Sequence, residues 1–232
     1  MHMSGPRTAE TRRLPEMTAG SNKADHTIVL ATRNAGKARE FGRLLGYAFT
    51  VQPLPDGVEL PEETGTTFAE NACLKAGTIF EALGGQIAVL ADDSGLEVTA
   101  LGGQPGVWSA RYAGENATDE ENVQRLLKEL GDGGDRSARF VCRLCLILPN
   151  IVAAPGTECG SRMPMILEVS GVAEGTIEME PRGTEGFGYD PVFRPVGWNE
   201  TLGEAATDRK DLISHRGAAA RVLLELLEAE GI

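Results

Sequence analysis

Residues 87–100 hold the feature that most constrains the fold, an apolar run that stops abruptly at two adjacent carboxylates. The aliphatic residues 87–91 are followed directly by Asp92, Asp93, Ser94 and Gly95. A short aliphatic run closed by a turn signal predicts a buried central strand rather than a helix. We expect the Asp pair at the carboxyl end of this strand, where α/β sheets open their ligand crevices. Neighbouring carboxylates repel each other, so a cation, a shared proton or nearby basic side chains must compensate them.

Composition places the chain among globular proteins with one large domain or two modest lobes. Its 232 residues are 41% hydrophobic and 24% charged, and no apolar run approaches the roughly 20 residues that a membrane span needs. The net charge of −12 disfavours a surface for duplex nucleic acid, because phosphate neutralisation requires basic side chains. An anionic small substrate is compatible with this charge if a metal and a local Lys/Arg cluster receive it.

The N-terminal segment and the cysteines indicate the cellular setting. Residues 1–26 are polar and lack the apolar core of a secretory signal, so we predict a disordered tail followed by a single domain over 27–232. A cysteine count of 4 in a chain of this length does not indicate a disulfide framework, and we expect reduced thiols in a cytoplasmic protein. Cys142 and Cys145 lie in a predicted strand, where residues three apart point to opposite faces, which disfavours a metal or redox role.

A strand, a tight turn and a helix are predicted near the start of the domain. The strand 27–32 leads into the helix through the turn Arg33-Asn34-Ala35-Gly36-Lys37. Such a turn directs backbone N–H groups and the positive end of the helix outward, which favours phosphate binding, and Lys37 adds a full charge. The segment is not a P-loop, because Ala31 and Ala38 stand where that motif requires Gly and Ser/Thr. A solvated turn without a ligand is the alternative interpretation.

An acidic loop and a capped helix come next. Glu62 and Glu63 lie in a proline-containing loop, and a capping box at Thr67 begins the helix. The predicted buried stripe of this helix is Phe68, Ala72, Ala76, Ile79 and Leu83. Asn71 and Lys75 are four residues apart and share a different face. The pattern alone favours a solvated Lys75, since most helix lysines are exposed.

Residues 118–179 combine one helix with several strands. A second capping box begins a helix at Thr118. One strand is predicted around Cys142, and a pair of strands over 165–170 and 171–179 follows a loop.

The C-terminal part combines a glycine-rich stretch with a long helix. Residues 183–191 permit close backbone approach to a ligand, with Phe187 and Tyr189 available for stacking. They do not match the dinucleotide motif, which needs a strand before it and a helix immediately after. A single helix is predicted over 210–229, and a lone histidine such as His215 on a helix is more often structural than functional. The predicted buried residues of this helix are Leu223, Leu226 and Leu227.

Six motifs occur together in one order along the chain. They are Thr32-x-Asn34-x-x-Lys37, Phe68-x-Glu70-Asn71-Ala72-x-x-Lys75-Ala76, Ala91-Asp92-Asp93-Ser94-Gly95-Leu96, Ser109-Ala110-Arg111-Tyr112, Gly186-Phe187-Gly188-Tyr189-Asp190-Pro191 and Ser214-His215-Arg216. The set closely resembles the inosine triphosphate pyrophosphatase family, in particular the bacterial dITP/XTP pyrophosphatases. The resemblance implies an α/β fold with an elongated mixed β-sheet, flanking helices and two lobes around a substrate groove. It also implies a Mg²⁺-dependent homodimer that hydrolyses deaminated purine nucleoside triphosphates (dITP/ITP, XTP/dXTP) to the monophosphate and pyrophosphate, cleansing the nucleotide pool, without nucleic acid or membrane partners.

The same resemblance assigns roles to individual residues. Phosphate binding matches Thr32, Arg33, Asn34, Ala35, Gly36, Lys37 and Lys75. Metal ligation matches Asp93 and Glu62, the latter alone or shared with Glu63; Asp93 also matches the general base, and Ser94 contacts substrate. Base recognition matches Phe187, Gly188, Tyr189, Asp190, Lys210, His215 and Arg216.

Three features depart from the family pattern. Glu185 stands where the family usually has Gly, Trp108 where Tyr or another apolar residue is usual, and residues 150–165 look like an insertion. Glu185 adds negative charge near an anionic ligand and therefore bears on affinity. Two other functions stay open, a house-cleaning pyrophosphatase with another preferred base and a catalytically silent nucleotide-binding protein.

Overall fold

A six-stranded mixed β-sheet organises the chain in the computed structural model, which describes residues 26–149 and 163–232. The strands are β1 Thr27–Leu30, β2 Thr50–Pro53, β3 Ala88–Val98, β4 Ser137–Leu148, β5 Met165–Ile177 and β6 Phe193–Pro195. Their order in the sheet is β2-β1-β3-β4-β5-β6, with β1 parallel to β2 and β3 and the remaining pairs antiparallel. The predicted mixed α/β sheet is confirmed, whereas its division into two lobes stays a prediction. The predicted tail up to residue 25 and residues 150–162 of the predicted insertion lie outside the described residues.

Helices flank the sheet, and local capping signals fix where two of them begin. They are α1 Ala35–Leu45, α2 Phe68–Ala82, α3 Asp119–Leu130, α4 Thr207–Ile213 and α5 His215–Glu230. Both predicted capping boxes are confirmed, with Thr67 before α2 and Thr118 before α3 accepting a backbone N–H three residues on. Within the described ranges, no helix has the length and apolar character needed to cross a bilayer.

Three apolar clusters surround the sheet and leave a polar gap along β3. Near its beginning, Ala88 and Leu90 pack with α1 and α5, while Val89 and Ala91 pack with α2 on the opposite face. Near its end, Leu96 and Val98 join a third cluster with α3 and β6. Residues 92–95 lie between these clusters, so the acidic segment occupies the boundary of the packed cores.

The strand that carries the Asp pair is longer than predicted. β3 continues through the acids to Val98, and its ladder with β4 runs unbroken from Val89 opposite Ile147 to Val98 opposite Ala138. The expectation that the strand ends at Asp92 is therefore wrong. Gly95 lies inside this strand and is not a turn residue. A Cβ at this position would lie 2.6 Å from the carbonyl oxygen of Gly106. It marks a close approach of backbone, which is a common reason for glycine inside a strand.

Two predictions for the C-terminal half are corrected by the structure. The predicted strand pair over 165–179 is one strand, β5, in which Gly171 allows the backbone of α5 to pack closely. The predicted helix over 210–229 is two helices, because Ser214 has an extended backbone and caps α5 by accepting the N–H of Gly217 at 3.0 Å. Leu226, predicted to be buried, is 39% exposed.

Candidate active site

The candidate site lies where β1 ends beside β3. Pairing between these strands stops at Leu30 opposite Leu90, and the last backbone contact is the N–H of Ala31 to the oxygen of Leu90 at 2.8 Å. Beyond this point, β3 has only β4 as a strand neighbour among the described residues. Asp92 and Asp93 are successive residues and project from opposite faces of β3. A ligand at this open edge can reach both faces, so the crevice is at the carboxyl end of β1 rather than that of β3.

Asp92 is buried among cationic groups. Its Oδ2 lies 2.7 Å from Nζ of Lys37 and 3.6 Å from Nε of Arg216, and it accepts a hydrogen bond from Oγ of Ser94 at 3.1 Å. Burial opposes the charged form, but the attraction of Lys37 and Arg216 outweighs it and holds the pKa of Asp92 well below its usual range. Sequence reasoning gave Asp92 no separate role, although strand alternation indicates that it faces away from Asp93.

Asp93 is buried on the other face of β3. Its Oδ1 lies 3.1 Å from Nζ of Lys75, and its Oδ2 accepts a hydrogen bond from the side-chain amide of Asn71 at 3.2 Å. Burial raises the pKa of Asp93 above its ordinary value, and the neighbouring Glu63 adds to this effect, against the attraction of Lys75. The expectation of a solvated Lys75 is wrong, since it is only 5% exposed and lies between two carboxylates.

Glu63 and Asp93 are the carboxylates that converge on one cation. Nζ of Lys75 is 2.7 Å from Oε1 of Glu63, and Asn71 holds the loop in place by accepting the N–H of Gly65 at 2.7 Å. Glu62 is exposed, and its carboxylate has no hydrogen bond or ion pair within the described ranges. Despite partial burial, the attraction of Lys75 lowers the pKa of Glu63, so this side chain is ionised at neutral pH.

The two carboxylates suit a Mg²⁺ ion that is also bound by water and substrate, rather than a metal held by protein side chains alone. Over the described residues, no group of three or more His, Cys, Asp or Glu side chains is arranged to hold a metal. Mg²⁺ commonly takes one or two carboxylates and completes its shell with water and substrate phosphates. Glu63 and Asp93 suit that pattern, because their oxygens already share one cationic neighbour.

The predicted phosphate-binding turn begins α1. Oδ1 of Asn34 accepts the N–H of Lys37 at 3.0 Å, and Oγ1 of Thr32 accepts the N–H of Asn34 at 3.1 Å. Within the described chain, the N–H groups of Ala35 and Gly36 have no hydrogen-bond acceptor and lie at the positive end of the helix. Unpaired N–H groups are what a phosphate receptor requires, and phosphate binding at this turn stays a prediction.

Arg33, predicted to bind substrate with the rest of the turn, has its guanidinium elsewhere. It donates to the carbonyl oxygens of Leu54, Pro55 and Val58 at 2.8, 2.8 and 2.7 Å. The side chain therefore stabilises the loop that leads to Glu63, and the structure does not bring its charge to the phosphate turn.

Phe187 connects the phosphate turn with the predicted base pocket. A Cβ on Gly36 would lie 2.7 Å from the ring of Phe187, and the charged ends of Lys210 and Arg216 lie 5.3 and 5.0 Å from the ring centroid. Oδ2 of Asp190 accepts both the backbone N–H of Phe187 at 2.8 Å and Nζ of Lys210 at 2.5 Å. These contacts place the ring beside both cations and next to the phosphate turn.

Two other residues of the glycine-rich stretch have structural contacts. The N–H of Gly188 donates to Oδ2 of Asp119 at 2.6 Å. Tyr189 is buried, and its hydroxyl donates to the carbonyl oxygen of Ser109 at 2.9 Å. The expectation that Tyr189 is available for stacking is therefore wrong. Glu185 is exposed and uses its backbone N–H to donate to Gly203 at 2.8 Å.

Arg216 is held in place before any ligand binds. Its Nη1 lies 3.0 Å from Oε2 of Glu40, and its Nη2 donates to Oγ of Ser94 at 2.6 Å. Glu40 is buried, and sequence reasoning missed it, although it lies three residues after Lys37 on the same face of α1.

His215 is the first residue of α5 and is 1% exposed. Its ring stacks on Phe140 with centroids 4.7 Å apart and planes 10° from parallel. Neither ring nitrogen has a hydrogen-bond partner among the described residues. Burial, reinforced by the charge of Arg216, holds the pKa of His215 well below its usual value, so the ring is neutral.

Comparison with known proteins gives consistent matches along most of the chain. Residues 28–226 match the model of the Ham1 family. A dITP/XTP pyrophosphatase of Synechococcus sp. (strain CC9311) is 47% identical over 205 residues, covering 88% of this chain and 91% of the relative. One from Streptococcus thermophilus (strain ATCC BAA-250 / LMG 18311) is 45% identical over 93% of this chain, which spans 64% of that relative's length. The solved structure of a HAM1 protein from Coxiella burnetii is 41% identical with a TM-score of 0.73, covering 88% of this chain and 99% of that one. The resemblance inferred from the motifs is thereby confirmed, and this chain belongs to the Ham1 family.

Proposed function

We propose that this chain is a nucleoside-triphosphate pyrophosphatase that hydrolyses dITP, ITP, dXTP and XTP to the monophosphate and pyrophosphate. Relatives named dITP/XTP pyrophosphatase support this class of enzyme. The observation that carries the proposal is the pairing of Lys37 with Asp92 at 2.7 Å and of Lys75 with Asp93 at 3.1 Å, on the two faces of one open strand edge. The proposal includes a cytoplasmic homodimer that removes deaminated purines from the nucleotide pool.

Asp93 is the proposed general base. Release of pyrophosphate requires water to attack the α-phosphorus, and a carboxylate with a raised pKa accepts a proton from that water more readily. The hydrogen bond from Asn71 fixes the orientation of this carboxylate. Lys37 and Lys75 would neutralise charge on the leaving pyrophosphate, the electrostatic role that basic residues have at phosphoryl-transfer sites.

Glu63 and Asp93 would hold Mg²⁺, with Glu62 as the alternative acidic residue in the same loop. When bound, Mg²⁺ would bind the polyphosphate and lower the pKa of a coordinated water. In the ligand-free arrangement, Lys75 compensates the same two carboxylates.

Base selection would depend on donors that face the purine 6-position. Hypoxanthine and xanthine present a keto oxygen that could accept a hydrogen bond from Arg216 or His215. Adenine has an amino group at this position, which is itself a donor and could not accept that hydrogen bond. A buried mismatch costs a few kcal/mol, which corresponds to about a hundredfold discrimination or more. Glu40 and Ser94 support this selection because they hold the Arg216 guanidinium in place. Stacking on Phe187 would add affinity without distinguishing among purines.

The decisive test is pyrophosphate release from dITP with Mg²⁺, comparing wild type with Asp93→Asn. Loss of a general base lowers the rate by about 10²- to 10⁴-fold. Asp132→Asn is a matched control for folding, because it makes the same chemical change at an exposed aspartate that has no part in the site. A wild-type protein no faster than Asp93→Asn would eliminate the enzyme and leave the silent nucleotide-binding protein.

Two further measurements separate the remaining alternatives. A panel of ITP, XTP, ATP, GTP and modified pyrimidine triphosphates distinguishes the proposed specificity from another preferred base. Arg216→Ala should reduce the preference for ITP over ATP more than it reduces the affinity for Mg²⁺. An unchanged preference would remove Arg216 from base selection. Light scattering of the full chain tests the homodimer.

A further inference from the structure

Arg111 is a basic residue beside the site that the proposed mechanism does not use. It ends a 3-10 helix over Gly106–Arg111 that packs against β3. Oγ of Ser109 in this helix accepts the N–H of Leu96 at 2.9 Å and donates to the oxygen of Gly106 at 2.6 Å. The backbone that carries Arg111 is therefore attached to the strand that carries Asp93.

The guanidinium of Arg111 contacts one of the two carboxylate oxygens of Glu63. Its Nη1 lies 3.4 Å from Oε2 of Glu63, while Oε1 of the same carboxylate lies 2.7 Å from Lys75. The guanidinium also lies 4.7 Å above the ring of Trp108 and 3.8 Å from a carboxylate oxygen of Glu115. Each oxygen of Glu63 thus has its own cation. Lys75 is shared with Asp93, whereas Arg111 is held by Trp108 and Glu115.

The two cations differ in what happens when a polyphosphate binds. Under the proposed function, Lys75 turns toward phosphate and releases Oε1 of Glu63. Arg111 has no such second role and stays on Oε2, because the Trp108 ring and Glu115 also hold it. Without Arg111, the carboxylate would lose its remaining partner and would be repelled by the nearby charge of Asp93.

We infer that Arg111 is a positioning residue, which holds Oε2 of Glu63 so that Oε1 keeps its present direction, toward Nζ of Lys75, and is free for the divalent ion once Lys75 moves. This inference rests on the proposed function for the identity of the ion. Residues that orient metal ligands in this way typically change metal affinity by about 10- to 100-fold when they are removed.

The test is calorimetric titration of the ligand-free protein with Mg²⁺ alone, together with the Mg²⁺ dependence of pyrophosphate release from dITP. For Arg111→Ala we expect a dissociation constant for Mg²⁺ about tenfold higher than in wild type, and recovery of the rate when Mg²⁺ is raised by the same factor. Arg111→Lys retains the charge and the fold, and we expect an intermediate constant. Arg139→Ala is the matched control, because it removes an exposed arginine that pairs with Glu97 of β3 at 2.7 Å.

Other outcomes would overturn the positioning role. An unchanged Mg²⁺ constant in Arg111→Ala, with only the KM for dITP raised, would make Arg111 a phosphate contact instead. An equal loss in Arg139→Ala would indicate a general charge effect. If wild type binds Mg²⁺ but releases no pyrophosphate, the proposed function fails, while the calorimetric comparison still decides the role of Arg111.

Discussion

Replacing Lys75 with methionine should destabilise the ligand-free protein and at the same time strengthen its binding of Mg²⁺. The ammonium lies 2.7 Å from Glu63 and 3.1 Å from Asp93, and its side chain is 6% exposed. Methionine keeps most of the side-chain volume, so the change removes the charge and little packing. The two carboxylates would then face each other without their shared cation.

The magnitude follows from the burial of this cluster. Removing one partner of a buried ion pair costs about 3 to 5 kcal/mol, since the other charge is left uncompensated. We expect about 3 kcal/mol, because Glu63 is 26% exposed and keeps its contact with Arg111. Protonation of Asp93 relieves part of this cost, because burial already raises its pKa and the attraction of Lys75 opposes that rise. Because the folded-state pKa of Asp93 is raised, the destabilisation caused by Lys75→Met should be smaller at pH 5 than at pH 8.

Magnesium should act in the opposite direction on this variant. The ion competes with Lys75 for the same two oxygens, so removal of the ammonium removes a competitor. Saturation at 100 times the dissociation constant stabilises a protein by about 2.7 kcal/mol, which would restore most of the lost stability. Pyrophosphate release should nevertheless fall, since Lys75 no longer neutralises the leaving group.

Urea unfolding at pH 8, with and without Mg²⁺, measures both effects. Lys128→Met serves as the control, because it removes an exposed lysine of α3. The reasoning is refuted if Lys75→Met is as stable as Lys128→Met without metal, or if it binds Mg²⁺ no more tightly than wild type.

Four further substitutions test the rest of the arrangement. Glu40→Gln removes the charge that holds Arg216 at 3.0 Å, and we expect the preference for ITP over ATP, measured as a ratio of kcat/KM, to fall about tenfold; an unchanged ratio would contradict this. Burial and the charge of Arg216 hold the pKa of His215 below 6.5, so the unfolded chain binds a proton that the native state does not. Wild-type stability should therefore fall below pH 6.5 by up to about 1.4 kcal/mol per pH unit, and urea unfolding of His215→Phe should lack this slope. Gly171→Ala should cost about 1 to 3 kcal/mol or more, because its Cβ would overlap the backbone of α5. Gly42→Ala, where nothing lies within 4 Å, should gain about 0.5 to 1 kcal/mol, and thermal unfolding should rank the two in that order.

Local signals in the sequence predicted the elements of the fold well. The capping boxes at Thr67 and Thr118 fixed two helix starts, because the hydrogen bonds of a cap involve residues only three apart. The opposite orientation of Cys142 and Cys145 is confirmed by their membership of different apolar clusters, since alternation is a property of the strand itself.

Errors occurred where a distant segment decides the local conformation. Gly95 and Gly171 suggest a turn and a strand break, but each lies inside a strand at a point where another backbone packs closely. The sequence cannot distinguish these meanings of glycine, because the contacting segment is far along the chain. Lys75 was similarly misplaced by pattern alone, since its burial depends on Glu63 and Asp93, which lie on other elements.

Charged residues predominate among those to which sequence reasoning assigned no role in the site, such as Glu40, Asp92 and Arg111. The described site contains as many basic as acidic side chains in ion pairs, namely Lys37, Lys75, Arg111, Lys210 and Arg216 with Glu40, Glu63, Asp92, Asp93 and Asp190. Movement of Lys75 toward a polyphosphate leaves the buried Asp93 without its cationic partner, which is costly, whereas Asp92 keeps Arg216 when Lys37 moves. A divalent ion at Glu63 and Asp93 would compensate that loss. Under the proposed function, metal and nucleotide therefore assist each other's binding, because each supplies the charge that the other displaces.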